Sequence, residues 1–124
     1  NRNSPRSINS YESVVTVTEA YQAFFGCTNL RRIYGRLQLN GRVTEMFKGC
    51  SALERVRLYK LNRSISFGDS QLINVADIVY AITNASPTSA IVITLHPTAY
   101  AAMSVDADVK AALAAQPLIT LVSA

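Results

Sequence analysis

Four side chains in this sequence have the types and the spacing to hold an anion: Arg32, Tyr34, Arg55 and Arg57. Arg32 and Arg55 stand 23 residues apart, and so do Tyr34 and Arg57. Guanidinium groups offer planar, bidentate donor forks that match carboxylate, sulfate or phosphate. A tyrosine ring offers such a cation its π-face, so Arg57 can stack on Tyr34. Neither Arg55 nor Arg57 is expected to fill the core. With no ligand, the same four residues make an ordinary solvated polar face.

Other reactive groups are scattered. His96 precedes Pro97 at the end of an apolar run, where parallel sheets often carry catalytic residues. Asp69, Asp77, Asp106 and Asp108 can supply a carboxylate partner, and Ser104 a hydroxyl. No spacing links them, and there is no G-x-S-x-G elbow. The expectation is a structural histidine at a helix start and a non-enzymatic chain. His96 is also the single histidine, far from Cys27 and Cys50, so no metal site is expected. There is no P-loop, no G-x-G-x-x-G and no C-x-x-C, so no cofactor is expected either. Asn62-Arg63-Ser64 and Asn84-Ala85-Ser86 match glycosylation sequons.

The element that must position the arginines is a repeat. Phe24-Phe25-Gly26-Cys27-Thr28-Asn29-Leu30-Arg31-Arg32-Ile33 reads in register with Phe47-Lys48-Gly49-Cys50-Ser51-Ala52-Leu53-Glu54-Arg55-Val56 at a shift of 23. A fixed period of this size implies one supersecondary unit stacked on its copy. Stacking sets equivalent residues side by side, with strands about 4.8 Å apart. Alternation along the strand then sends Leu30, Ile33, Leu53 and Val56 inward. It sends Arg32 with Arg55, and Tyr34 with Arg57, outward together. Cys27 and Cys50 become neighbouring apolar plugs, both buried, close and unbridged.

These two segments resemble the A-F-x-x-C-x-x-L-x-x-I unit of BspA-like leucine-rich repeats, over Ala23–Ile33 and Met46–Val56. Ile91-Val92-Ile93-Thr94-Leu95-His96-Pro97-Thr98-Ala99-Tyr100 is similar to the C-terminal ending of Bacteroidales proteins of this group. The resemblance implies a right-handed solenoid, and a secreted or bacterial cell-surface protein that binds a partner. Two departures stand out. Gly35 replaces the third apolar residue of the first strand, and Val17-Thr18-Glu19 lies three residues further from its Phe than Val43-Thr44-Glu45 does.

Beyond the repeats the pattern changes. Val14-Val15-Thr16-Val17 reads as a strand, after a polar, aperiodic end over residues 1–12. A weak third copy begins at Asp69, aligned with Cys50 at a shift of 19. Val75, Ile78, Val79 and Ile82 mark one face of a helix that Ser86-Pro87 ends. Ile91–Leu95 reads as a buried strand. Pro97 opens a helix, Asp106 caps another, and Leu118–Val122 reads as a last strand. The fold class is therefore α/β: a short leucine-rich-repeat right-handed solenoid with a parallel sheet and a βαβ-type C-terminal cap. One domain is expected over residues 1–124, with an irregular N-terminal cap at 1–22, two repeats at 23–65 and the C-terminal cap at 66–124. Strands near 31–34, 55–58, 91–95 and 118–122 are expected in a single parallel sheet.

Composition agrees with a folded chain: 49% hydrophobic and 16% charged residues over 124 positions. No apolar run approaches the roughly 18 residues that a membrane-spanning helix needs. The sequence opens on Asn1 rather than Met, which reads as a processed or truncated start. Charge is uneven, because residues 1–63 hold eleven of the twelve Lys and Arg. The basic half can steer anions toward one surface. A protein or glycan partner is the expected ligand. An acidic glycan or nucleic acid on a basic concave face is the alternative, although nucleic acid would want denser Lys and Arg among aromatic platforms.

Overall fold

The computed structural model describes residues 14–18, 21–43 and 45–124. The polar end expected over residues 1–12 lies outside them, as do Glu19 and Thr44 of the two compared V-T-E segments and most of the expected N-terminal cap.

Three strands come first: β1 (Val14–Val17), β2 (Arg32–Leu39) and β3 (Arg55–Leu58). They form a parallel sheet in the order β1-β2-β3. Then follow β4 (Ile65–Phe67), α1 (Val75–Thr83), β5 (Ile91–Leu95), α2 (Pro97–Met103), α3 (Ala107–Ala114) and β6 (Ile119–Ser123). Strands β4, β5 and β6 make a second parallel sheet, in that order. The protein is thus a mixed α/β structure of two small three-stranded parallel sheets and three helices.

Residues 23 apart do lie one over the other in the first half. The Phe24 and Phe47 rings stack at 5.7 Å with planes 4° apart. Phe24 N–H donates to the Met46 carbonyl at 3.0 Å, and Gly26 N–H to the Lys48 carbonyl at 2.8 Å. Gln22 donates to Glu45, and Arg31 pairs with Glu54 at 3.0 Å. The repeated glycine has a physical cause. Gly49 sits at φ +82°, and a Cβ there would meet the Gly26 Cα at 3.2 Å. Both the left-handed backbone and the close approach exclude a side chain.

Three expectations need correction here. The single sheet is two sheets. The free edge of β3 is not offered to β5, because the start of α1 occupies it. Asn74 N–H donates to the Glu54 carbonyl at 2.8 Å, and the Asp77 carboxylate accepts Val56 N–H at 2.9 Å. The alignment of Asp69 with Cys50 at a shift of 19 is replaced by contacts between residues 20 apart. Phe67 stacks on Phe47 at 5.1 Å, and the Ser70 hydroxyl donates to the Cys50 carbonyl at 2.8 Å. Ile73 is buried where Leu53 is, whereas Leu72 is exposed. The cysteines also differ from each other. Both are free thiols, but only Cys50 is buried. Ser70 covers it on one side, and its thiol donates to the Phe24 carbonyl at 3.1 Å on the other. Cys27 belongs to the outer unit, and no stacked copy covers it among the described residues.

The helices start where polar caps place them. Asn74 accepts Ala76 N–H at the start of α1, and Asp106 accepts Asp108 and Val109 N–H at the start of α3. Pro97 stands at the first turn of α2, where its missing N–H costs nothing. Buried Ile78 and Ile82 of α1 join Leu58, Phe67, Ile93, Leu95 and Val109 in one apolar cluster that both sheets share. Among the described residues, no helix is long and apolar enough to cross a membrane.

Candidate functional site

The outward face of β2 and β3 carries alternating arginine and tyrosine side chains. Arg32, Tyr34, Arg36 and Gln38 share the outer side of β2, while Leu37 and Leu39 point into the core. Arg55 and Arg57 share the outer side of β3, opposite buried Val56 and Leu58. Arg32 pairs in register with Arg55, as the 23-residue spacing implies. Arg57, however, pairs with Arg36 and not with Tyr34.

The cause is a bulge. Between Arg32 and Arg36, β2 has three residues where β3 has only Val56. Gly35 lies inside this bulge at φ +85°, a left-handed conformation natural to glycine. Leu37, two positions on, faces Leu58 and takes the third apolar place that Gly35 leaves. The missing apolar residue in the sequence was therefore the trace of a bulge. Its effect is to re-aim Tyr34, which stays 49% exposed.

A cleft of about 310 Å³ opens here, lined by all four sequence-predicted residues and by Glu54, Asn74 and Asp77 among others. The arginines in it are not equivalent. The Arg55 guanidinium is clamped by buried Asp77, with Nε to Oδ2 at 2.9 Å and Nη2 to Oδ1 at 3.0 Å. Arg55 thus lies on the outer face, with its side chain 41% exposed, and is also tied to α1 by this ion pair. Arg57 lies over the Tyr80 ring of α1 at 5.5 Å. Beside it, Arg36 lies over Tyr59 at 4.7 Å. Arg32 is exposed and makes no ion pair among the described residues. Glu54 turns to Arg31, which does not line the cleft. Among the described residues, Glu54 and Asp77 are the carboxylates that line the cleft, and each is bonded to an arginine.

The scattered candidates stay apart. His96 Nδ1 accepts Thr98 N–H at 3.0 Å and caps α2. Asp106 caps α3, Asp69 accepts Gly49 N–H at 2.9 Å, and the Ser104 hydroxyl donates to the Ala101 carbonyl. None of these groups is hydrogen-bonded to His96. Burial pushes the Cys50 thiol up from its ordinary pKa. Among the described residues, no group of three or more His, Cys, Asp and Glu comes together as a metal site.

Asp77 is the site residue that sequence reading misplaced, as a partner for His96. One signal pointed to it. An acid on the apolar face of a helix, beside Ile78 and Ala81, must be buried with a cation or a backbone donor. No family model, curated protein or solved structure matches this chain.

Proposed function

We propose that this chain is a non-enzymatic interaction module of leucine-rich-repeat type, belonging to a secreted or cell-surface bacterial protein, which binds a protein or glycan partner through the outer face of β2 and β3. The observation that carries the reading is the co-location of Arg32, Tyr34, Arg55 and Arg57 around one cleft. Stacking of residues 23 apart supports the repeat part, because it gives the chain a regular outer face of the kind solenoids use for binding. The α1 start then acts as the cover of the strand row, and the second sheet as its C-terminal cap.

A second reading is a general anion binder for acidic glycan or nucleic acid. The Arg36–Tyr59 and Arg57–Tyr80 stacks favour it, because they hold cations rigidly at the surface. Nucleic acid is the weaker branch, since it would want denser Lys and Arg among aromatic platforms.

The test is biosensor binding of immobilised chain to a panel of acidic and basic soluble proteins, at low and at high salt. Acidic partners should be retained at low salt, released at high salt, and lost in the Arg32→Glu, Arg57→Glu double variant. Retention by the double variant equal to wild type would overturn the reading.

A further inference from the structure

Cys27 and Cys50 are the two cysteines of the chain, and both are free thiols. They occupy equivalent places in two stacked units, 23 residues apart. Each directly follows the glycine at which the units press together. A Cβ on Gly49 would meet the Gly26 Cα at 3.2 Å, and Gly26 N–H donates to the Lys48 carbonyl at 2.8 Å. The Cys50 sulfur reaches across this contact. It donates to the Phe24 carbonyl at 3.1 Å, and the same oxygen accepts Cys27 N–H at 3.1 Å. The buried sulfur therefore lies against the short turn that carries Cys27. Electrostatics show the same closeness. Burial pushes the Cys50 thiol up, the Cys27 amide draws it down, and the Cys27 charge adds to the rise.

Stacked units repeat at about the strand spacing of 4.8 Å, and a disulfide spans about 4.4–6.8 Å between Cα atoms. Cys27 is exposed, so its side chain has room to rotate toward its neighbour. A bridge would strand no buried acceptor, because the Phe24 carbonyl keeps the Cys27 N–H when it loses the Cys50 thiol. On the other side of Cys50 stands a hydroxyl and not a third sulfur: Ser70 donates to the Cys50 carbonyl at 2.8 Å. Exposure and burial also order the chemistry. A dissolved oxidant reaches Cys27 first, and Cys50, buried with its thiol pushed up, is the thiol that resolves.

We propose that Cys27 and Cys50 are a redox pair of the folded chain, which a low-molecular-weight disulfide oxidises to an intrachain bridge by reaction at Cys27 and resolution by Cys50. In the first step the Cys27 sulfur bonds to one sulfur of the oxidant. The oxidant's S–S bond breaks, and one thiol leaves with the Cys27 proton. In the second step the Cys50 sulfur bonds to that of Cys27. The mixed disulfide breaks, and the other thiol leaves with the Cys50 proton. The chain loses two electrons and two protons, and the oxidant gains them. The bridge ties the outer unit to its neighbour, where Phe25 and Cys27 are exposed. It does not depend on what the face of β2 and β3 binds.

The experiment treats the native whole chain with oxidised glutathione and follows its intact mass, with peptide mapping under non-reducing conditions. A single glutathione adduct at Cys27 should appear first. It should give way to a monomer that has lost two hydrogen atoms, with the Cys27 and Cys50 peptides joined and the circular dichroism unchanged. Cys50→Ala should stop at the Cys27 adduct, and Cys27→Ala should stay unmodified while native. Should Cys50→Ala fail to fold, the mapping of wild type decides alone. A wild-type adduct that persists without resolving would overturn the proposal. A bridge between two chains, a bridge that forms only in urea, or no reaction at Cys27 would overturn it equally.

Discussion

Replacing Asp77 by alanine removes three acceptor contacts at once: two from the Arg55 guanidinium and one from Val56 N–H. Asp77 is only 2% exposed, while the Arg55 side chain is 41% exposed. The arginine can turn to water, but the Val56 amide at the strand edge cannot do so easily. The expected loss is therefore about 1–3 kcal/mol, that of an orphaned buried donor, rather than the larger cost of a stranded buried charge. Urea denaturation of Asp77→Ala against wild type measures it, and an unchanged midpoint would remove Asp77 from this role. The two thiols give a second check at the same scale. Cys27 is exposed and Cys50 is buried, with its pKa raised by burial. A thiolate reagent should label one thiol in the native protein and the second only after denaturation. Two native thiols, or none, would contradict the stacked arrangement of the units. In both cases the sequence carried the position and not the environment. Cys27 and Cys50 look equivalent in the sequence, yet among the described residues only Cys50 is covered on both sides.

At the scale of elements, the glycines separate what a turn needs from what stacking needs. Gly26 and Gly49 have the same left-handed backbone, at φ +73° and +82°. A Cβ on Gly26 would meet nothing within 4 Å, whereas one on Gly49 would meet the Gly26 backbone at 3.2 Å. Gly26→Ala should therefore cost roughly 1–2 kcal/mol, the penalty of the left-handed conformation. Gly49→Ala should cost more, by whatever it takes to part the units. Equal losses in thermal or urea unfolding would mean that the units do not press on each other there. The repeat was legible because its spacing is covalent: Phe, Gly and Cys recur at 23. The apolar runs of β5 and β6 were legible for the same kind of reason. Strand β4 was not read as a strand, because three residues leave almost no alternation to detect. The division into two sheets was not legible either. It depends on which element reaches the β3 edge first, and Asn74 and Asp77 reach it through contacts about 20 residues distant in sequence.

Across the whole molecule, the two sheets are joined by side chains and not by strand pairing. Phe67 of β4 stacks on Phe47, and Phe47 on Phe24, so one aromatic column runs from the outer unit into the second sheet. Leu58, Ile78, Ile93 and Val109 continue the same apolar cluster through β3, α1, β5 and α3. A core shared in this way makes each sheet part of the other's cover, and neither can lose its packing alone. The molecule should then unfold in one step, with β2 and β5 amides exchanging through the same global opening. Phe67→Ala tests the joint directly. Phe67 is almost fully buried, so its truncation should cost about 3–5 kcal/mol. The cost should appear in both sheets although the residue lies in only one. Native-state hydrogen exchange of wild type and Phe67→Ala, read at β2 amides such as Leu37 and at β5 amides such as Ile93, supplies the measurement. Equal falls in protection at the two strands would mark a single cooperative unit. A fall confined to β5, with Leu37 protected as before, would divide the chain into two independently stable parts and defeat the shared-core account.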